Sequence, residues 1–271
     1  MPSSPADLLA HLPLAPDAAL PPFRQGEVWL VGTGPGDPTL LTIQALYAIV
    51  HADVILHDAL VSPAILKLIP QKTQVIRTGK RHHDSASMPQ STINEHIIAH
   101  ARTNKRVARL KGGDPLLFAR GGDEALALAN AHITLRIIPG ITAATAAAAN
   151  AGLPLTYRNE NAAITFLTGT RHDTTLHLPS PLPSLPSPPN AIALYMATHN
   201  LPTIAQHLLT NGYKKDDPVT IISNASLPQQ TITDTTLAAC TNLTITPPAI
   251  ILISGNASLR KKIKPYLQNT R

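Results

Sequence analysis

VWLVGTGPGD, residues 28–37, is a short apolar run that stops abruptly in a glycine turn, and the same pairing recurs down the chain. Further apolar runs at 53–56, 73–76, 106–110 and 135–138 each feed a polar or glycine-containing loop. Between them lie segments with helical spacing, 40–51 and 91–103. Short buried strands alternating with helices predict an α/β fold built on a parallel sheet. Pro89 falls in an expected first turn, and Asp123 and Glu124 suit the positive N-terminus of another helix. A second series of runs at 164–167, 191–196, 219–223, 230–233 and 250–253, with a helix near 201–210, predicts a second, mixed sheet.

This pattern divides the chain into three parts. Residues 1–25, rich in Pro and Ala and without sustained periodicity, are expected to form a flexible extension outside the core. A first domain follows over 26–152 and a second over 153–271, with the boundary near AGLPLT (151–156). Within the second, a Pro/Ser stretch near 178–190 reads as a loop, because its prolines lack backbone donors and favour extended conformations.

Composition narrows the function. The 271 residues are 44% apolar, enough to build a core, and only 14% are charged, with a formal net charge of +6. Such a charge suits an anionic partner. Aromatics make up only 3% and no basic run is interleaved with them, which argues against nucleic acid. Cys240 is the single cysteine, so neither an internal disulfide nor a cysteine-based zinc site is available, and a reducing cytoplasm is expected. No apolar run has membrane-spanning length and no secretory leader is evident, so no membrane association is expected.

In a parallel α/β sheet, ligands gather beyond the carboxyl ends of the strands. Those ends carry GTGPGD (32–37), HDALVS (57–62), TGKRHH (78–83), KGGDP (111–115) and PGIT (139–142). The first loop is not a dinucleotide fingerprint, since its third glycine comes too early, and no P-loop Gly-Lys-Ser/Thr is present. Asp37 and Asp114 in the glycine loops would repel a phosphate. The ligand is therefore expected to carry hydroxyls or positive charge, a description that S-adenosylmethionine meets. His82, His83 and Asp84 form the single cluster suggestive of a metal; with no further ligand pair at suitable spacing they read as a polar loop, and no metal is expected.

VGTGPGDPTLLT (31–42), HDALVS, RLKGGDPLLF (109–118) followed by ARGGDE, and IPGITAATAAAANAGLPLTYR (138–158) closely resemble the uroporphyrinogen-III C-methyltransferases of the tetrapyrrole methylase family. The resemblance extends from about residue 27 to 255 and is densest before Arg158. It implies two αβα domains, a homodimer and a ligand cleft between the domains. The cofactor implied is S-adenosylmethionine, released as S-adenosylhomocysteine, with contacts at Pro35, Gly112, Gly113, Asp114, Leu117, Thr142, Ala143, Met196 and Ala225. Asp58 matches the family's proton acceptor and Lys80 its proton donor. The implied substrate is uroporphyrinogen III, methylated at C2 and C7 to precorrin-2 for siroheme or cobalamin. Its carboxylates suggest a basic cleft, for which Arg81, Arg109, Lys111, Arg120 and Arg158 are the candidates.

Taken alone, several of these residues have plainer readings. Asp58 is equally a turn or cap residue, Lys80 a solvated lysine, and Met196 at a strand end a core side chain. The chain also departs from the family pattern: His57 replaces an aromatic residue, Ala119 a glycine and Ser223 an acidic residue, while the Pro/Ser stretch replaces a segment that usually holds an Asp-Trp pair. Two related activities remain as alternatives, methylation of a different precorrin and methylation of ribosomal RNA by the same fold. A binding protein without turnover is a third reading.

Overall fold

The computed structural model describes residues 4–11, 20–79, 88–158, 161–169, 191–253 and 256–267. These fall into two compact units, residues 1–142 and 143–271. The loop expected near 178–190 lies outside the described residues.

The first unit is α/β as expected. Its strands are β1 (Val28–Gly32), β2 (Val54–His57), β3 (Gln74–Arg77), β4 (Val107–Lys111) and β5 (Leu135–Ile138). They form one sheet in the order β3-β2-β4-β1-β5, with every pairing parallel. The helices are α1 (Pro5–Ala10), α2 (Ile43–His51), α3 (Pro63–Leu66), α4 (Gln90–Arg102) and α5 (Gly121–Asn130). Side chains alternate across a strand, and β1 shows what that builds. Trp29 and Val31 pack with Ala45, Ala48 and Ile49 of α2 on one face. Val28 and Leu30 pack with Ile93, Ile97 and Ala101 of α4 and Leu128 of α5 on the other. Because both faces are covered, β1 and β4 are buried along their whole length.

The helix starts follow local chemistry. Thr42 caps α2 by accepting from Ala45 N at 3.1 Å, and Ser62 caps α3 by accepting from Ile65 N at 3.3 Å. Pro89 is the N-cap of α4, and Asp123 and Glu124 lie in the first turn of α5. Two described parts of the segment assigned to the extension carry structure. Pro5–Ala10 is helical, and Phe23 is buried, its ring stacked on Trp29 with centroids 4.3 Å apart. An aromatic face on Trp29 is large enough to recruit a ring from a segment that lacks any periodic signal of its own.

The second unit carries the mixed sheet: β6 (Ile164–Thr168), β7 (Ala191–Tyr195), β8 (Pro218–Ser223), β9 (Thr231–Thr236) and β10 (Ala249–Ile253). The order is β6-β7-β10-β8-β9, with β6 and β7 parallel and the other neighbours antiparallel. Helix α6 (Ala143–Ala151) lies against β10. Ile204, Ala205 and Leu208 of α7 (Leu201–Thr210) pack on Ile192, Leu194, Ile251 and Ile253. Helix α8 (Ala257–Ile263) sends buried Arg260 to Asp234 of β9, Nη1 to Oδ2 at 3.0 Å.

Candidate active site

Three glycine loops interlock at the carboxyl edge of the parallel sheet. Gly34 and Gly113 exchange backbone hydrogen bonds, and Thr33 N and Oγ1 both donate to Lys111 O, at 2.9 and 3.0 Å. Gly32, Gly113 and Gly140 meet so closely that a Cβ on Gly140 would lie 2.2 Å from Gly113 O. The carboxylate of Asp114 ties the arrangement together: Oδ1 accepts from Leu116 N at 2.8 Å and Oδ2 from Gly140 N at 3.1 Å. Asp37 Oδ1 accepts from Thr39 N and Oγ1, both at 2.8 Å. Both aspartates thus act first as turn-forming acceptors for their own backbone, the ordinary use of Asp beside a glycine turn. The HDALVS loop joins the group through Ser62, whose hydroxyl donates to Gly36 O at 2.5 Å.

In or beside these loops of the first unit lie Pro35, Gly112, Gly113, Asp114, Leu117 and Thr142, all half-buried. In the second unit, Ala143 opens α6 and Ala225 is buried. Met196 follows β7 with a left-handed φ of 51° and is 51% exposed, which sets it apart from a core side chain. Left-handed backbone at residues other than glycine is sparse, and each unit has it beside residues singled out in the sequence. Phe118 and Arg120 flank Ala119, and Asn224 and Ser226 flank Ala225, all with φ between 52° and 65°.

Asp58 stands just after β2, its backbone N donating to Leu110 O at 3.2 Å. Its side chain is 30% exposed, and it belongs to a cluster of four charged groups. Arg109 Nη2 bonds Asp58 Oδ1, and Arg109 Nε donates to Glu124 Oε1 at 3.0 Å. Lys111 Nζ lies 3.4 Å from Asp58 Oδ2 and 3.0 Å from Glu124 Oε2. Arg109 and Lys111, expected among the cations facing the substrate, are each only 1% exposed. Arg120 and Arg158 are exposed. Lys80 and Arg81 lie outside the described residues, as do His82, His83 and Asp84.

Glu124 and Thr78 were not expected in this site. Thr78 Oγ1 accepts from Arg109 Nη1 at 3.0 Å, and Glu124 is fully buried. One signal was available. Arg109 and Lys111 are two apart on a strand, so their charges share a face that must find anions if it is covered. Among the described residues, no group of three or more His, Cys, Asp or Glu is placed to hold a metal ion, and no helix is long and apolar enough to cross a membrane.

Known proteins share this architecture. The family model described as tetrapyrrole (corrin/porphyrin) methylases matches residues 27–241. A Sinorhizobium protein named uroporphyrinogen-III C-methyltransferase is 42% identical over 249 residues, spanning 90% of this chain and 88% of that one. A siroheme synthase of Pseudomonas fluorescens (strain SBW25) is 40% identical over 248 residues; the match takes in 90% of this chain but only 53%, about half, of the relative. The crystal structure of a Thermus thermophilus uroporphyrin-III C-methyl transferase complexed with S-adenyl homocysteine superposes with a TM-score of 0.76 at 30% identity, over 86% of this chain and 99% of that one.

Proposed function

The chain belongs to the tetrapyrrole methylase family, and from that premise we propose that it methylates uroporphyrinogen III at C2 and C7, using S-adenosylmethionine, to give precorrin-2 for siroheme or cobalamin. The carrying observation is the half-exposed Asp58 carboxylate, held at the same sheet edge as the interlocked glycine loops. Those loops offer backbone groups and the Asp37 and Asp114 carboxylates, a set of polar groups whose acceptors suit ribose hydroxyls and positive charge and disfavour phosphate. S-adenosylmethionine supplies an electrophilic methyl on a sulfonium.

The proposed contacts to it are Pro35, Gly112, Gly113, Asp114, Leu117, Thr142, Ala143, Met196 and Ala225. The pyrrole carbon that gains the methyl is already fully substituted and becomes quaternary, which leaves the ring cationic until a proton departs from the ring nitrogen or the adjoining methylene bridge. Asp58 takes that proton onto its carboxylate, with Lys80 as the partner donor. Placement and one base suffice, so the reaction as written calls on no metal. Exposed Arg120 and Arg158, together with Arg81, are the proposed partners of the substrate's carboxylates, and the protein acts as a cytoplasmic homodimer.

Anaerobic incubation with S-adenosylmethionine and uroporphyrinogen III should yield a dimethylated product by mass spectrometry. Asp58→Asn should lower kcat by about 10²- to 10⁴-fold while binding the cofactor. Methylation of RNA or of a later precorrin, with none on uroporphyrinogen III, would overturn the reading.

A further inference from the structure

We propose that Arg109, Lys111 and Glu124 are positioning residues for the Asp58 carboxylate, not contacts for the substrate; the inference rests on the reading of Asp58 as proton acceptor. The four side chains form a closed alternation of charge. Arg109 spans Asp58 Oδ1 and Glu124 Oε1, the latter at 3.0 Å, while Lys111 spans Asp58 Oδ2 at 3.4 Å and Glu124 Oε2 at 3.0 Å. Two cations thus meet two anions, and the cluster sums to zero. Further bonds fix it to the frame: Arg109 Nη1 donates to Thr78 Oγ1 at 3.0 Å, Lys111 Nζ to Glu124 Oε1 at 3.1 Å and Gln90 Nε2 to the same oxygen at 3.3 Å.

Exposure decides which corner faces the chemistry. The side chains of Arg109, Lys111 and Glu124 are 2%, 2% and 0% exposed, whereas that of Asp58 is 30% exposed. A substrate carboxylate reaching Arg109 or Lys111 would have to strip it from a partner already buried, leaving an uncompensated charge behind. The open corner can instead receive a proton. Each Asp58 oxygen has its own cation, so the plane of the carboxyl group is fixed.

Glu124 has a separate task, set by the charge balance. When the methylated, cationic ring gives up a proton from its nitrogen or adjoining methylene bridge and an O–H bond forms on Asp58, the cluster passes from neutral to a single positive charge. Without Glu124 the same step would begin with one surplus positive charge and end with two, enclosed in protein. Glu124 therefore keeps Asp58 able to accept the proton, although it lies too deep to touch the substrate.

The test uses the whole chain with Lys111→Gln and Glu124→Gln, singly and combined, alongside the unaltered protein. Each single substitution should lower kcat by about tenfold or more, with the KM for uroporphyrinogen III and the Kd for S-adenosylmethionine within about twofold. The double variant, with equal charges restored, should lose no more kcat than the poorer single, because the two residues act as one unit. It carries the same readout if a single variant fails to fold. A KM rise larger than the kcat loss in Lys111→Gln, or kcat losses that multiply in the double, would overturn the proposal. Absence of dimethylated product from the unaltered protein would instead sink the reading of function, so the two failures are distinguishable.

Discussion

Gly34 and Gly113 exchange a reciprocal pair of backbone hydrogen bonds, Gly34 N to Gly113 O at 3.1 Å and Gly113 N to Gly34 O at 2.7 Å. Through that pair the loop after β1 and the loop after β4 are fixed backbone to backbone. A third loop is then held by the hydrogen bond from Gly140 N to Asp114 Oδ2 and by close packing, since Gly140 sits where no side chain fits. Rigid backbone groups set at such an edge are what a polar ligand needs for oriented binding.

Gly140→Ala should disrupt this arrangement. Its Cβ would meet Gly113 O at 2.2 Å and Gly32 C at 2.8 Å, both backbone atoms that cannot swing away. A loss of about 1–3 kcal/mol in urea unfolding is expected, together with at least about tenfold weaker S-adenosylmethionine binding, since tenfold corresponds to ~1.4 kcal/mol. Gly122→Ala is the control, because nothing lies within 4 Å of its added Cβ and it sits in a helix. That change should be neutral or stabilising by up to about 1 kcal/mol. Equal behaviour of the two variants would refute the account.

How much of this the sequence disclosed depends on the kind of signal each residue carries. The runs at 28–31 and 106–110 correspond to β1 and β4 within about a residue, because buried parallel strands are nearly continuous apolar segments. Helix α6, AATAAAANA, offers no apolar stripe against a polar one, so periodicity could not reveal it. Glu124 was legible as a residue suited to a helix start. Its deeper role depends on Arg109 and Lys111, fifteen and thirteen positions away on another element, and on Asp58 beyond them. Asp114 was legible as a carboxylate in a glycine loop, but not that both its oxygens bind backbone.

Asp53 and Arg106 should contribute stability that depends on pH. Asp53 Oδ2 accepts from Arg106 N at 2.9 Å and Nε at 3.1 Å, and Oδ1 accepts from Nη2 at 2.7 Å. The guanidinium's hydrogen bonds hold the Asp53 carboxyl below its usual value of 3.8. A depressed folded value means that the contribution is complete above the unfolded value and fades as pH falls through the folded one. Asp53→Asn should therefore cost about 1 kcal/mol at pH 7, and the gap between variant and parent should close as pH drops below about 4. A gap that stays constant in urea titrations from pH 7 to pH 3 would contradict this.

Cys240 should be chemically silent in the folded protein. It is 1% exposed in the core of the second unit, and its Sγ donates to Leu237 O at 3.1 Å. Burial pushes its thiol up to about 11. Only the thiolate is nucleophilic, so iodoacetamide at pH 8 should leave the native protein unlabelled and modify one site in urea. Rapid labelling without denaturant would show that this core opens.

Met196 separates contact from packing. A buried methionine replaced by alanine costs about 2–5 kcal/mol, but Met196 is 51% exposed, so Met196→Ala should cost under about 1 kcal/mol. If the side chain touches the cofactor, affinity for S-adenosylmethionine should nevertheless fall by about tenfold, close to ~1.4 kcal/mol. The backbone provides a second handle. With φ at 51°, Met196 occupies a region that costs a residue bearing a Cβ roughly 1–2 kcal/mol and glycine nothing comparable. Met196→Gly should accordingly be more stable than Met196→Ala while binding the cofactor just as weakly. Calorimetric titration and thermal unfolding of the pair decide the matter: unchanged affinity with a large stability loss would return Met196 to the core, whereas weak binding in a glycine variant that unfolds no earlier than the parent means that strain is retained there for the sake of the side chain.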